Sequence, residues 1–270
     1  MKLFLRKMAA FAYRDFLQEA SYRVYFVTQW STVLLNIVAY FFLAQFLEGG
    51  LKDQLEPYGG DLFAFLLIGV AWGGYQKVAV NSFTIRIREA QMMGTFEAAL
   101  ATRTAPSQII IGSAIYDFAA MSMRVMIYLI IGALFGVDFS HANVPAALVV
   151  FALSILAFLC IGIGSGAFIV MYKKGDPVSW VFSKLGVPFG GVLFPISVLP
   201  DSLQIISYCL PITHALEGLR MTLLKGASLS EISGSLIGLG VFTCVLLPLS
   251  LVLFHYALRY SKERGGLVQF

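Results

Sequence analysis

Long apolar stretches separated by short polar ones set the pattern of this chain. Barrel strands would instead alternate between apolar and polar residues over about ten positions. A continuous apolar run of about 20 residues is long enough to cross a hydrocarbon core about 30 Å thick as a helix. Six such stretches lie at residues 24–47, 62–83, 109–137, 144–172, 178–199 and 232–260. The pattern therefore predicts an all-α membrane protein with six transmembrane helices in a single transmembrane domain, 1–270.

The segment 86–106, between the second and third apolar stretches, is too polar to lie in lipid. It carries Arg86, Arg88, Glu89, Glu97 and Arg103. Each such charge at bilayer depth costs roughly 2.5–3.5 kcal/mol even on insertion scales. We therefore expect a short helix in water or at the membrane surface. A soluble partner could dock on it, although an ordinary cytoplasmic loop has the same composition.

The amphipathic pattern of residues 1–22 predicts a helix that lies flat on the membrane. Phe4, Met8 and Phe11 share one face, and Lys7 and Arg14 share another. Basic residues beside an apolar stripe suit the headgroup zone of a membrane. A simple targeting or orienting segment is the alternative interpretation.

Residues 200–231 are neither a plain loop nor a clean span. Pro200 and Pro211 interrupt them, and the apolar pieces at 205–210 and 215–224 are too short to cross the hydrocarbon core. We interpret them as a re-entrant helical hairpin before the last span. Backbone at that depth must pack against protein or a water-filled cavity.

Composition and charge agree with a membrane protein. The chain is 59% hydrophobic and 13% charged, against about 25% charged residues in a soluble domain. The net charge of +4 reflects an excess of Lys and Arg on one side of the predicted spans and is no nucleic-acid signal. Because cytoplasmic loops carry that excess, both termini, the segment 86–106 and the turn at 173–176 are predicted to be cytoplasmic. The hairpin then faces outward.

Charged residues inside the apolar regions need partners. Arg124 lies near the middle of the third span, and Asp117 precedes it by two turns on the same face. We interpret the two as an intramembrane ion pair, with binding of an anionic head group by Arg124 as the alternative. Glu217 and Arg220 are one turn apart and are predicted to pair within the hairpin.

The segment 86–106 contains Gly94, Thr95, Phe96 and Glu97, a Gly-Thr-hydrophobic-Glu core. Residues 191–220 follow a Phe-Pro, Leu-Pro, Pro-Ile-Thr…Glu…Arg pattern before the last span. Together, in a six-span frame, these motifs resemble the transmembrane permease subunit of type 2 ABC exporters. The resemblance covers nearly the whole chain.

The resemblance implies that the segment 86–106 is a coupling helix that docks on a cytosolic ATPase. The docking residues carried over from it are Arg88, Glu89, Gly94, Thr95, Phe96 and Glu97. Two copies of the ATPase, with ATP and magnesium bound to them, would act on a permease homodimer among membrane lipids in the bacterial inner membrane. This chain has no G-x-x-x-x-G-K-[ST] loop to cradle phosphates, so it is predicted to carry no cofactor and not to be an enzyme by itself.

The resemblance also implies a substrate path between the first, second and fifth spans, closed on the outside by the hairpin. The candidate path residues are Tyr25, Trp30, Asn36, Tyr40, Trp180 and Phe189. The candidate outer gate consists of Phe194, Pro195, Leu199 and Pro200. The alternative for the aromatic members is that they face lipid or lie in interfacial belts.

The substrate is only loosely constrained. Polysaccharide exporters of this family carry a Leu-Gly-x-x-Trp-like start of the first span, which this chain lacks. An amphipathic small molecule or lipid is therefore expected, with a lipid-linked glycan or polysaccharide as the alternative. An ATP-independent transporter or scramblase is a second alternative, although Asp117 is the one clear carboxylate in the predicted spans, which disfavours proton coupling. A non-transporting membrane subunit is also compatible with the sequence. An intramembrane enzyme would need a catalytic cluster, and the three histidines and three cysteines are scattered.

Overall fold

The computed structural model describes residues 13–17, 21–47, 52–92, 106–172 and 175–263, together with Arg6 and Ala10. The described chain is helical and has no β-strand in these ranges. The helices are α1 (Arg23–Phe46), α2 (Lys52–Leu55), α3 (Leu62–Met92), α4 (Pro106–Leu134), α5 (Val144–Tyr172), α6 (Pro177–Phe189), α7 (Asp201–Tyr208), α8 (Pro211–Leu224) and α9 (Ser233–Glu263). Short 3-10 turns follow at Glu56–Tyr58 and Ile196–Val198.

Five of the described helices are long and apolar enough to cross a membrane. Their spanning parts are Val27–Phe46, Leu62–Glu89, Ala114–Leu134, Val144–Tyr172 and Ser233–Tyr260. They coincide with five of the six predicted stretches. The chain is therefore an integral multi-pass membrane protein.

Helix α3 forms the centre of the fold. It packs against α1, α4, α5, α6 and α8. In its most apolar stretch 72% of the residues are buried, against 17% in α1 and 11% in α9. Close approach to α5 depends on small residues, because a Cβ on Gly162 would lie 2.4 Å from the Ala79 carbonyl oxygen. The outer helices keep large apolar faces for lipid or for another chain.

The prediction of a continuous fifth span at 178–199 is wrong. Helix α6 begins after Asp176, whose carboxylate accepts a hydrogen bond from the Ser179 backbone N–H at 2.9 Å, with Pro177 in the first turn. It ends at Phe189, and Gly191 then adopts a left-handed φ of 74°. Thirteen residues give a helix about 20 Å long, too short to cross the bilayer alone.

The boundary of the second span also differs from the prediction. Helix α3 continues to Met92 instead of stopping near residue 83, and its Arg86 pairs with the half-buried Asp117 of α4. Arg86, Arg88 and Glu89 are thus the last turns of α3 rather than the start of a separate polar helix. The predicted coupling residues Gly94, Thr95, Phe96 and Glu97 lie outside the described residues, as does most of the predicted interfacial helix 1–22.

The interval predicted as a hairpin holds two short helices. Helices α7 and α8 are joined by a tight turn, and Pro211 occupies the first turn of α8. The Thr213 hydroxyl donates to the Ser207 carbonyl at 2.6 Å and ties the two helices together. Helix α8 packs against α3, α5 and α9. Its depth in the membrane stays a prediction.

Candidate functional site

An open groove of about 980 Å³ runs between α1, α3 and α4. Helix α1 contributes Gln29, Thr32, Val33, Asn36 and Tyr40, spaced by three or four residues. Helix α3 contributes Val70, Gly73, Lys77, Asn81, Ile85 and Glu89 at the same spacing, and α4 contributes Asp117, Met121, Arg124 and Tyr128. Residues three or four apart share one helix face, so three faces converge on the groove. Unlike ordinary lipid-facing surfaces, each face carries polar side chains.

The groove extends over most of the membrane thickness. From Val70 to Glu89 helix α3 rises about 28 Å, close to the hydrocarbon core of about 30 Å. At the Val70 end, Val192 and Leu193 from the segment after α6 also line the groove. The predicted gate residues Phe194 and Pro195 follow directly. Phe194 is half-buried and Pro195 is buried. The other two predicted gate residues, Leu199 and Pro200, flank the turn before α7.

Acidic side chains lie at the other end of the groove, which the charge pattern predicts to be cytoplasmic. The Arg86 guanidinium binds the Asp117 carboxylate, with Nη2 2.7 Å from Oδ1. Glu89 lies 3.6 Å from Arg86 on the same helix. Asp15 is almost fully buried and pairs with Arg14 at 2.7 Å. Three carboxylates and two guanidinium groups thus form ion pairs at this end of the groove.

The predicted pairing of Asp117 with Arg124 is wrong. Asp117 pairs across the helix interface with Arg86 instead. Arg124 donates from Nη2 to the amide oxygen of Gln29 on α1, and its guanidinium lies 5.6 Å from the ring centroid of Trp30. The sequence spacing within α4 was compatible with the first pairing, but a side chain from another helix competes for Asp117.

The middle of the groove is polar but not acidic. Lys77 is exposed to the groove, and its ammonium makes no hydrogen bond or ion pair with the described residues. The Asn36 amide donates to the Tyr128 hydroxyl at 3.5 Å. Asn81 bridges from α3 to α6, where it accepts from the Ser179 hydroxyl and lies 3.4 Å from Ser183 Oγ.

The predicted path residues separate into two groups. Asn36 and Tyr40 line the groove, and Trp30 contacts a groove residue without lining the groove itself. Trp180 is 62% exposed on α6 and Phe189 packs against the core, so neither lines it. The Tyr25 side chain lies outside the described part of the chain.

The sequence interpretation missed several groove residues on α1, α3 and α4. They are Gln29, Lys77, Asn81, Met121 and Tyr128. Lys77 and Asn81 are four residues apart in an apolar stretch, which is a polar stripe at helical spacing. That spacing could have revealed the groove face of α3.

Arg220 occupies a second, closed polar site beside the outer end of the groove. Its Nη1 donates to the Gly191 carbonyl at 2.7 Å, and Nη2 donates to the carbonyls of Phe65 at 3.0 Å and Val192 at 3.2 Å. The guanidinium stacks on the Phe65 ring, 3.3 Å from its centroid. The side chain therefore joins α8, the start of α3 and the turn after α6.

The predicted pair of Glu217 with Arg220 is wrong. Backbone carbonyls accept hydrogen bonds from the guanidinium instead, and no carboxylate of the described residues lies within ion-pair distance of it. Glu217 is half-buried near Tyr58 on the loop before α3. Burial first, and then the charge of Glu217, raises the pKa of Tyr58 above its ordinary value. The Tyr58 phenol is thus neutral beside the Arg220 site.

A third polar cluster fixes the start of α6. The Asp176 carboxylate accepts hydrogen bonds from Thr84 on α3, at 2.7 Å, and from Ser165 on α5. It also caps α6 through the Ser179 N–H. One carboxylate thereby holds three helices together at the end of the fold opposite the Arg220 site.

The described residues form no metal-binding cluster. No group of three or more His, Cys, Asp or Glu residues suited to a metal ion lies within the described ranges. Cys160, Cys209 and Cys244 are all free thiols.

A polar groove through a bundle of apolar helices is the architecture of a membrane transport protein. The sequence profile of the ABC-2 type transporter family matches residues 7–224, most of the chain. The chain therefore belongs to that family and is a transmembrane permease component of an ABC transporter, as its motifs predicted. Members of the family generally work with an ATP-binding subunit. Among curated proteins, no sequence matches this one.

Proposed function

We propose that this chain is the permease subunit of an ATP-driven exporter, in which two copies of the chain form the substrate path and two ATPase subunits drive it. The observation that supports the path most directly is the polar groove between α1, α3 and α4, which is about as long as the membrane is thick. The groove is open along one side. A second copy would complete its wall.

The proposed topology places both termini and the segment 86–106 in the cytoplasm of a bacterial inner membrane. Helix α3 carries Arg86, Arg88 and Glu89 at the end that leads into this segment. Five described helices cross the membrane, the short helix α6 and the segment after it make the sixth crossing, and α7 and α8 form a re-entrant hairpin on the outer side. With this topology an ATPase reaches the 86–106 segment directly, and no second soluble domain is needed.

An amphipathic small molecule or lipid is the proposed substrate. Val33, Val70 and Met121 provide apolar groove walls, while Lys77 and Arg124 lie between them. An apolar tail and a polar head can both be accommodated in such a surface. A lipid-linked glycan has the same two parts and is the alternative cargo.

The first experiment is purification of the tagged chain from its native membrane in mild detergent, with mass spectrometry of the proteins that accompany it. The expected result is a stoichiometric soluble protein with a phosphate-binding loop. In the variant Glu97→Arg this partner is expected to be lost while the permease stays folded. Glu56→Arg is the matched control, because Glu56 is an exposed acid in the loop predicted to be on the opposite side of the membrane.

A folded permease that never retains a nucleotide-binding protein, across several detergents, would overturn the ATP-driven proposal. The ATP-independent transporter or scramblase would then become the better explanation. Retention of the partner by Glu97→Arg as well as by Glu56→Arg would instead contradict the docking assignment alone.

A further inference from the structure

We propose that the middle of the groove is a binding site for the anionic head group of an amphiphile, formed by Lys77 and Arg124. The proposal deepens the proposed function, since it names the charge of the substrate that the path selects. Neither residue is needed to bind the ATPase. The site can therefore be tested on the permease alone.

The charged residues of the groove differ in their partners. The described acidic residues that line it are Asp15, Glu89 and Asp117, and each of them forms an ion pair with Arg14 or Arg86. The two remaining charged residues of the lining, Lys77 and Arg124, are both cations. No described carboxylate forms an ion pair with either of them.

Lys77 and Arg124 lie at nearly the same depth. Helices α3 and α4 are antiparallel, and the hydroxyls of Tyr75 and Ser122 meet across them at 3.3 Å. Lys77 follows Tyr75 by two residues and Arg124 follows Ser122 by two, so their backbone positions are about 6 Å apart along the helix axes. Both side chains line the same groove, and the proposed head group would bind between α3 and α4.

The described partners of these two cations leave capacity for a ligand. Arg124 has a neutral amide, Gln29, as its hydrogen-bond acceptor, and its Nε is buried without an acceptor in the described chain. The Lys77 ammonium has no acceptor there either. Ionisable residues within a membrane almost always face the bundle interior or a water-filled cavity, where they pair with one another or with backbone carbonyls. Arg220 differs from Arg124 because three carbonyls already accept from its two terminal nitrogens, although its Nε also lacks an acceptor in the described chain.

The surroundings favour an amphiphile over a free ion. The Trp30 ring beside Arg124 and the apolar side chains of Val33, Val70 and Met121 offer contact for an acyl chain or ring. The Asn36 and Tyr128 pair offers further hydrogen-bonding groups one to two turns farther along. A small inorganic anion would leave these apolar walls unused.

The test uses the full-length permease in nanodiscs of zwitterionic phosphatidylcholine. Fluorescence of Trp30, in a background with Trp72→Phe and Trp180→Phe, is titrated with lipids whose acyl chains are brominated. The two probes share the same tail and differ in the head group, which is phosphatidic acid or phosphatidylcholine. The anionic probe is expected to quench Trp30 at a concentration at least about tenfold lower.

Lys77→Gln and Arg124→Gln are each expected to remove most of that tenfold preference. Lys184→Gln is the matched control, since Lys184 is an exposed cation on α6 that does not line the groove, and it should keep the preference. Arg124→Lys retains the charge and should keep part of the preference, which guards against a folding defect in Arg124→Gln. Unchanged thermal unfolding of each variant is required as a second measurement.

Equal quenching by both probes, or a preference that survives both groove variants, would overturn the proposal. Displacement of the anionic probe by inorganic phosphate at similar concentration would show that the site takes a free anion and would overturn the amphiphile assignment. Failure of the exporter proposal would look different. The head-group preference would persist while no ATPase accompanies the chain.

Discussion

Two arginines in this protein are held in opposite ways. Arg220 is buried in a closed site where three backbone carbonyls and an aromatic ring surround its guanidinium. Arg124 is half-buried on the wall of an open groove, where it contacts the amide of Gln29 and lies near the ring of Trp30. Both residues lie within apolar segments, and the sequence offered a nearby carboxylate for each. In the structure neither arginine pairs with that nearby carboxylate.

The difference shows how a membrane protein can use a buried cation for architecture or for binding. An arginine whose terminal nitrogens donate to backbone carbonyls has its partners within the protein and fixes the backbones that it joins. An arginine with spare donors beside a groove keeps its capacity for an incoming anion. The number and kind of acceptors, rather than burial alone, separates the two roles.

The largest effect is expected for Arg220→Met. The substitution leaves the carbonyls of Gly191 and Val192 without their donor and removes the second donor to the Phe65 carbonyl, and each buried orphan costs about 1–3 kcal/mol. The free energy of unfolding should fall by about 3 kcal/mol or more, measured by thermal or denaturant unfolding in detergent. Arg124→Met is the contrasting control. It should cost about 1 kcal/mol or less, because removing an unpaired cation from the membrane offsets the lost bond to Gln29. Equal losses for the two variants would erase the distinction between the sites.

A smaller effect is expected for Gly69→Ala beside the Arg220 site. An added Cβ would lie 2.0 Å from the Val192 carbonyl oxygen and 2.7 Å from Arg220 Nη2, so the backbone of the turn after α6 must move. We expect a loss of about 1–3 kcal/mol. At Gly73, one turn along, the Cβ would lie 3.4 Å from a Val192 methyl group, and Gly73→Ala should be tolerated. If Gly69→Ala unfolds at the same temperature as Gly73→Ala, the close packing of α3 on that turn is contradicted.

A double-mutant cycle measures which arginine of the groove interacts with Asp117. Asp117→Asn combined with Arg86→Gln should show a coupling of at least about 1 kcal/mol in unfolding free energy, since the ion pair is half-buried and short. The parallel cycle of Asp117→Asn with Arg124→Gln should show about 0.5 kcal/mol or less. A larger coupling in the second cycle would restore the pairing that the sequence alone suggested.

The smallest effect concerns Glu231, in the loop between α8 and α9. The Ser228 backbone N–H and hydroxyl donate to its carboxylate at 2.6 and 2.7 Å and lower the pKa of Glu231 below its ordinary value. The charged form is favoured in the fold, so this contribution is present above the ordinary pKa of a glutamate and is lost as pH falls through the lowered value. The protection factors of the amides of residues 228–232, which correct for the pH dependence of intrinsic exchange, should therefore fall in acid in the native chain. In Glu231→Gln these protection factors should already be low at neutral pH and should show no such acid step.

Much of the architecture could be read from the sequence. Apolar stretches long enough to span the bilayer predicted five helices, because lipid forces a backbone to satisfy its hydrogen bonds within each segment. The remaining stretch, at residues 178–199, was wrongly predicted as a span because its prediction rested on hydropathy alone. Residues 178–199 are apolar enough for lipid, but the left-handed turn at Gly191 and the carbonyl acceptors around Arg220 end the helix at Phe189. Hydropathy measures solvent preference and does not indicate where a helix ends within an apolar stretch.

The candidate site was predicted only in part. Asn36 and Tyr40 were identified because the family resemblance places the first span at the path and because their side chains can hydrogen-bond to or stack on a substrate, and both line the groove. Lys77 was not identified, although it lies within the second predicted span. Trp180 and Phe189 were chosen for their rings, and only packing shows that they lie elsewhere.

The sequence by itself determined the class of protein, its family and the side of the membrane predicted for each polar segment. These follow from length, hydropathy, charge asymmetry and local motifs, all of which are properties of neighbouring residues. Only the tertiary structure decided which charges meet. Asp117 binds Arg86 rather than Arg124, and Arg220 binds carbonyls rather than Glu217, because the favoured partners come from segments 28 to 155 residues away in the chain. Partners at that separation are chosen by how helices pack, which no local spacing specifies.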